Sequence, residues 1–267
     1  MKKIFIIFLF LNFLIYSQEK INISTTILPY AGIIENIGKE KLNVIVLVPP
    51  GAEPHTYEPK PLQLKEISKA LIYFKVGSNI EFENLYLSKI SKLNKNMKIY
   101  NTSKGITLLK EDPHIWISLK NLKIISKNIL EGLCEVDKNN EKFYKENFEK
   151  YVKSLEQLDE EITNELKDKK GKKFIVFHPA FGYFARDYAL IQIPIQLGHA
   201  EPGPKDIKRL IKIAKENKIK IVITEPQFSP KTATIIAKEI NGKVVSIDPL
   251  SKDIIETIKK LKEVIVE

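Results

Sequence analysis

Cysteine, arginine and histidine are all scarce in this chain of 267 residues. With one cysteine, Cys134, no disulfide can form within the chain, and cysteine-based zinc or iron–sulfur sites are excluded. Cys134 reads as a buried small apolar residue. The only arginines are Arg186 and Arg209, so lysine carries almost all of the formal net charge of +10. Proteins that read phosphates or base edges rely on the arginine fork. The basicity therefore reads as a dispersed lysine surface, with no nucleic-acid partner. No HxxxH or HExxH spacing occurs among the four histidines, which excludes the usual helix-borne zinc protease site. What remains, 43% apolar and 28% charged residues, is an ordinary globular balance.

Residues 1–17 stand apart from the fold. A basic start, Met1-Lys2-Lys3, precedes a stretch from Ile4 to Tyr16 that is apolar except for Asn12, and Ser17-Gln18-Glu19-Lys20 closes it. That order is the pattern of a secretory signal peptide. The stretch is short for a transmembrane helix, which takes about 20 residues. No cysteine follows it, so a lipid anchor is not expected. An exported protein without a lipid anchor is retained by a periplasm, which makes the periplasm the expected compartment.

From Ile21 onward, short β-branched runs alternate with amphipathic stretches. Strand-like runs fall at 21–25, 43–48, 71–76 and 97–100, then at 174–177, 191–195, 219–224 and 243–247. Helical periods, such as 204–216 and 230–240, lie between them. This alternation predicts parallel sheets built from βαβ units. Two such series predict an α/β protein of two lobes, each a small, mainly parallel sheet flanked by helices. Between the series, Tyr144, Phe148, Tyr151, Leu155, Leu158, Ile162 and Leu166 recur at spacings of three and four. They form one apolar stripe on a long helix, with Asp137 as its N-cap and Lys170-Gly171-Lys172 as its stop. The expected organisation is thus a signal peptide over 1–17, an N-terminal lobe over 18–136, a linking helix over 137–170 and a C-terminal lobe over 171–267.

The histidines fall at telling places. His55 lies in Pro49-Pro50-Gly51-Ala52-Glu53-Pro54-His55-Thr56, after a strand, and His178 directly follows another. His114 sits in Asp112-Pro113-His114-Ile115-Trp116. Glu225 and Asp248 each end a strand-like run of the second half. Open parallel sheets bind ligands beyond the carboxyl ends of their strands, so His55, His178, Glu225 and Asp248 would share that edge. Imidazoles with a carboxylate suit Zn²⁺ best among common metals. From spacing alone, the set reads equally as a metal site or as unrelated loop residues, and Asp248 before Pro249 also reads as a turn starter.

Five segments carry a closer likeness. They are 48–59 (Val-Pro-Pro-Gly-Ala-Glu-Pro-His-Thr-Tyr-Glu-Pro), 112–116, His178-Pro179-Ala180-Phe181-Gly182-Tyr183-Phe184, Thr224-Glu225-Pro226-Gln227-Phe228-Ser229 and Ile247-Asp248-Pro249-Leu250, with Glu201–Asp206 leading into a helix. In these segments, and in their order, the chain resembles the metal-binding solute-binding proteins of zinc and manganese ABC importers, over nearly all of the sequence after the leader. The resemblance implies a metal held between two lobes joined by one rigid helix. Its ligands would be His55 and His114 from the first lobe, and His178 and Asp248 from the second. Glu225 matches a family glutamate near the site, as an outer residue or a stand-in ligand. Asp112 would orient an imidazole through its second nitrogen or simply start a turn. His199 matches no family ligand and reads as a surface loop residue.

Members resembling zinc binders have histidine at the third ligand position, where those resembling manganese binders have glutamate. His178 therefore points to Zn²⁺, as does the nitrogen-rich donor set, since Mn²⁺ prefers more oxygen donors. The span from Tyr57 to Pro113 lacks the His-rich loop of many zinc-specific members, which leaves manganese or mixed specificity as the alternative. The work implied is capture and delivery to a membrane permease by a monomer, not catalysis. A catalytic zinc keeps a position open for water, and four protein ligands would close it. A zinc hydrolase would need Glu225 as its base, and an adhesin would need an exposed apolar patch that nothing in the sequence marks. Protons compete with metal for imidazole, so affinity is expected to fall as pH drops through the histidine range.

Overall fold

In the computed structural model, residues 20–196, 198 and 202–267 are described. The expected signal peptide, His199 and Glu201 lie outside the described residues. The first lobe runs β1 (Ile21–Thr25), α1 (Leu28–Gly38), β2 (Leu42–Val46), α2 (Pro61–Ile67), β3 (Ile72–Lys75), α3 (Glu81–Leu93) and β4 (Lys98–Asn101). Two long helices follow, α4 (Leu119–Val136) and α5 (Glu141–Leu166). The second lobe runs β5 (Lys173–Val176), α6 (Gly182–Asp187), β6 (Ile191–Pro194), α7 (Pro204–Glu216), β7 (Ile221–Thr224), α8 (Lys231–Glu239), β8 (Lys243–Ser246) and α9 (Ile254–Val266). No helix among the described residues is long and apolar enough to cross a membrane.

All strand pairs are parallel, in the orders β2-β1-β3-β4 and β6-β5-β7-β8. Parallel neighbours need a long crossover, and helices supply it. In each lobe the chain first steps to one side of the opening strand and then to the other. The order therefore reverses between β1 and β3, and again between β5 and β7. Crevices at such reversals are where α/β sheets take ligands.

The expected linking helix is present as α5, flanked by 3-10 turns at Lys138–Asn140 and Lys167–Lys169. At about 1.5 Å per residue it runs roughly 39 Å. Its stripe of Tyr144, Tyr151, Leu155, Leu158, Ile162 and Leu166 is buried. Gly171 ends the segment at φ 76°, a conformation glycine adopts without strain. Asp137 does not cap α5. Its Oδ2 instead accepts hydrogen bonds from Tyr144 Oη at 2.6 Å and Asn140 Nδ2 at 2.7 Å, while the backbone enters the helix through Asn140. Cys134, on α4, is only half-buried.

One apolar cluster runs through both lobes. It joins Ile23, Phe74 and Ile125 of the first to Val176, Ile247 and Ile258 of the second, with the α5 stripe between them. A smaller cluster of Ile175, Phe177, Val222 and Ile236 fills the far side of the second sheet. β5 alternates between the two, as the two-residue strand period requires. The lobes also meet without room to spare. A Cβ at Gly32 of α1 would lie 2.1 Å from the carbonyl oxygen of Lys252, just before α9.

That contact yields a signed prediction. Alanine is about 1 kcal/mol better than glycine within a helix, so Gly32→Ala should stabilise α1 taken alone. The clash with Lys252 reverses the sign, and a net loss of about 1–3 kcal/mol is expected in denaturant unfolding. An unchanged or raised midpoint would show that the lobes do not seat against each other here.

A three-histidine candidate metal centre

The loops that follow β2, β4 and β5 converge. His55, from the loop between β2 and α2, His114, from the loop between β4 and α4, and His178, at the end of β5, form a triangle of rings. Their centroids lie 5.6 Å (His55–His114), 5.4 Å (His55–His178) and 5.1 Å (His114–His178) apart. Each offers a nitrogen, and the three nitrogens lie within 4.8 Å of one another. Nε2 of His114 is 3.4 Å from Nε2 of His178. Tetrahedral Zn²⁺, with Zn–N near 2.05 Å, holds its donor atoms about 3.3 Å apart.

The outward nitrogens decide the tautomers. Nδ1 of His114 faces Oδ1 of Asp112 at 2.9 Å, and Nδ1 of His55 faces Oε2 of Glu81, in the first turn of α3. Nδ1 of His178 faces the Oε1 of Gln196 at 3.4 Å. Each partner is an oxygen acceptor, so the proton of a neutral ring belongs on Nδ1 and the Nε2 lone pair is left as the donor. Nε2 of His114 and Nε2 of His178 meet at 3.4 Å, where a shared proton or a cation can bridge them.

Short-range interactions fix the three loops. Asp112 Oδ1 also accepts the His114 N–H at 2.9 Å, and Ser78 Oγ donates to the Pro113 carbonyl. From the second lobe, α6 presses on the same turn. Tyr183 Oη accepts from Leu109 N at 2.8 Å and donates to the Asp112 carbonyl at 3.2 Å. Glu53 Oε1 accepts the His55 N–H at 3.1 Å and lies 3.6 Å from its Nε2. Trp116 packs against the His114 ring and donates from Nε1 to the Pro249 carbonyl at 2.7 Å, which ties the lobes beside the site. Phe228 stacks on His178 at 5.2 Å. Phe181, Tyr183 and Phe184 are fully buried. The space left among His55, His114, His178 and their neighbours is about 10 Å³, the room that one water or one ion takes.

Asp248 does not join the group of three. Its Oδ1 accepts from Gln227 Nε2 at 2.9 Å and from Leu250 N at 2.9 Å. These are the bonds of an aspartate that starts a turn at a proline. Glu225 lies at the reversal between β5 and β7, 1% exposed, with Oε2 accepting the His178 N–H at 3.2 Å. Its Oε1 has no hydrogen-bond partner among the described residues. Burial pushes its carboxyl well above the ordinary carboxylate range, and the charges of Glu53 and Asp248 push the same way, against the His178 N–H. The sequence reading included neither Glu81, Gln196 nor Glu53 among the site residues. Only Glu53 carried a local signal, two residues before His55.

Residues 23–265 match the family model described as "Zinc-uptake complex component A periplasmic". The chain is 29% identical over 255 residues to the high-affinity zinc uptake system protein ZnuA of Bacillus subtilis (strain 168), covering 87% of this chain and 79% of that protein. It is also 29% identical over 242 residues to the manganese ABC transporter substrate-binding lipoprotein PsaA of Streptococcus mitis, covering 84% and 78%. Among solved structures, a crystal structure of ZnuA superposes with a TM-score of 0.88 at 40% identity, covering 93% of this chain and 98% of that one.

Beneath the site, the loop after β3 is held by a buried carboxylate. Glu83, 6% exposed, accepts from the N–H groups of Val76 at 2.6 Å and Gly77 at 2.9 Å, and from Thr26 Oγ1. Through this loop Ser78 reaches Pro113, and Glu81 reaches His55. Burial raises the Glu83 carboxyl above its ordinary range despite those donors. A raised carboxyl pKa means that the native state holds the proton more tightly than the unfolded state. Its stabilising effect is therefore full below the unfolded pKa, near 4.5, and is lost as pH rises through the folded value. Glu83→Gln should lower stability at pH 4 through its lost acceptor, and the deficit should shrink between pH 4 and pH 8. Denaturant midpoints at both pH values check this, and a deficit that grows with pH would contradict it.

Proposed function

The chain belongs to the family of periplasmic zinc-uptake components, metal-binding solute-binding proteins of ABC importers and not enzymes, and we propose that it captures one Zn²⁺ between its lobes and delivers it to the importer's membrane permease. The observation that carries this reading is the backed triangle of imidazoles. Three nitrogens face inward within 4.8 Å, at one spacing that matches a tetrahedral zinc edge, and each outward nitrogen meets an oxygen acceptor. His55, His114 and His178 are the proposed ligands. Asp248 is the proposed carboxylate ligand, and its Oδ2 is the oxygen not engaged by Gln227 and Leu250. Asp112 serves as the orienting partner of His114, and Glu225 stands behind His178 as an outer residue.

Zinc is favoured over manganese by the donor chemistry. Three imidazoles make a small nitrogen-rich set, whereas Mn²⁺ seeks more oxygen. The carboxylates of Glu53, Glu225 and Asp248 around the triangle support manganese as the second reading. Export by the leader over 1–17, a periplasmic location and a monomer that docks on the permease complete the proposal. The continuous core and the α5 spine oppose wide hinge bending, so metal entry is assigned to the His55 and Asp248 loops.

Native mass spectrometry of residues 18–267, stripped of metal and then offered equal Zn²⁺ and Mn²⁺ in excess, tests this reading. One zinc per chain is expected, with manganese excluded and occupancy lost or sharply reduced in His114→Ala. Manganese at parity would remove the selectivity claim. No tightly held metal would remove the site itself.

A further inference from the structure

The positive charge, which composition alone presents as dispersed, is concentrated on one flank of the second lobe. Residues 204–220 carry seven cations against two acids, Asp206 and Glu216, and so hold half of the formal net charge of +10. Five of these cations lie on α7. Lys205, Lys208, Arg209, Lys212 and Lys215 fall on one face of the helix, at spacings of three and four. All five are exposed, whereas Leu210 and Ala214 of α7 are buried in the smaller apolar cluster. Lys218 and Lys220 follow, also exposed, beyond the helix end. Helices α5 and α9 set lysines beside carboxylates, as at Lys145–Glu141 and Lys259–Glu256. On α7, among the described residues, only Lys212 has a carboxylate within ion-pair distance, that of Glu216 at 3.8 Å. α8 lies beside α7, since its Ala233 and Ile236 share the same apolar cluster. Its outer face adds the exposed Lys231 and Lys238, with Ile235 between them, 52% exposed. Glu216 and Glu239 are the exposed acids of the two helices.

We propose that this flank of α7 and α8 rests on the surface of an anionic phospholipid bilayer and holds the protein beside the membrane that carries its importer. Only the identity of that membrane rests on the function proposed above. The charge is complementary, because an anionic headgroup layer attracts each nearby Lys or Arg and the attraction sums over a cluster. The residue types favour lipid over a protein partner. Protein interfaces are enriched in Arg and aromatic residues and depleted in Lys. Here six of the seven cations over 204–220 are lysines, and neither that stretch nor α8 holds an aromatic residue. Ammonium groups on flexible stems are point charges that suit a fluid layer of headgroups better than a fixed, forked partner. The apolar side of α7 is committed to the core, so the attachment is by charge and not by insertion of the helix. Ile235 is the one large apolar side chain exposed on the two helices, placed to enter the headgroup region. The flank covers the side of the second sheet away from the core shared with the first lobe, so a bilayer there does not come between the lobes.

The test is co-sedimentation with lipid vesicles, using the chain from residue 18, which contains every described residue and omits the apolar leader. Vesicles of phosphatidylethanolamine with about 30% phosphatidylglycerol are compared with neutral phosphatidylcholine vesicles, in about 0.05 M and about 0.5 M salt. The parent is expected to bind the anionic vesicles at low salt, to leave them at high salt and to ignore the neutral ones. Lys205→Gln, Lys208→Gln, Arg209→Gln and Lys212→Gln combined should weaken binding roughly 100-fold or more, and the milder pair Arg209→Gln with Lys212→Gln roughly 10-fold. Lys65→Gln, Lys89→Gln, Lys92→Gln and Lys95→Gln combined, all at exposed lysines of the first lobe, change the net charge as much and should weaken it less than about fivefold. Both four-residue variants are expected to unfold in denaturant and to take up zinc as the parent does. Equal binding to neutral vesicles, equal losses in the two four-residue variants, or no binding by the parent would overturn the proposal. So would binding confined to vesicles that contain the importer's permease, which would assign the flank to a protein partner. A parent that holds zinc but ignores the vesicles overturns this inference alone. A parent that binds the vesicles but holds no zinc overturns the proposed function alone.

Discussion

Three imidazoles brought from two separate sheets to within 4.8 Å of one another are the constraint that the rest of the structure serves. The oxygens of Asp112, Glu81 and Gln196 meet the Nδ1 positions, and Nε2 of His114 lies 3.4 Å from Nε2 of His178. Burying polar rings costs free energy that hydrogen bonds or a bound cation offset. The protein gathers the three rings in one small space, walled by Trp116, Phe228 and Pro249. The rest of the molecule serves to hold loops from two separate sheets in this opposition, which neither lobe could create alone. The first supplies His55 and His114, and the second supplies His178 with the aromatic and carbonyl groups that close the space around it.

Holding two lobes in register takes more than a linking helix. α5 buries its stripe in a core that continues through both sheets. Gly32 lets α1 approach the Lys252 carbonyl, and Trp116 reaches across to Pro249. Each contact crosses between the lobes, and two of them lie in chain segments that lead to site residues. A domain pair tied at so many points resists bending as a whole. The loops, where the backbone bonds are few and local, are the segments such ties leave least restrained.

Much of this was legible in the sequence. The eight strands, the two-lobe α/β plan and the α5 stripe follow from β-branched runs and three-to-four spacing, and His55 and His178 follow from their place after strands. His114 follows no such rule and came from the family motif around it. α4 was not singled out, although Leu122, Ile125, Ile129 and Leu133 repeat at helical spacing and Ser118 caps its start. The partners of the histidines were hidden for a different reason. Glu81 lies 26 residues from His55, and Gln196 lies 18 from His178, so only the folded topology brings each pair together. At Asp248 the two readings were a ligand and a turn starter. Its Oδ1 makes the turn, because the Leu250 N–H two residues on is always within reach, whereas a metal arrives only when supplied.

The two lobes also treat the same position differently. In each, a buried carboxylate bridges the crevice where strand order reverses. In the first lobe, Glu83 spans from Thr26, after β1, to Val76 and Gly77, after β3, and its oxygens are fully engaged by the lobe's own donors. In the second, Glu225, after β7, accepts the His178 N–H, after β5, and leaves Oε1 without a partner among the described residues. Strand ends at such a reversal present backbone N–H groups that attract an acceptor. The first lobe satisfies them with a carboxylate that locks the loop carrying Ser78 and Glu81. The second satisfies them only in part, directly behind His178. Rigidity on one side and an incompletely engaged carboxylate on the other arise from one repeated fold.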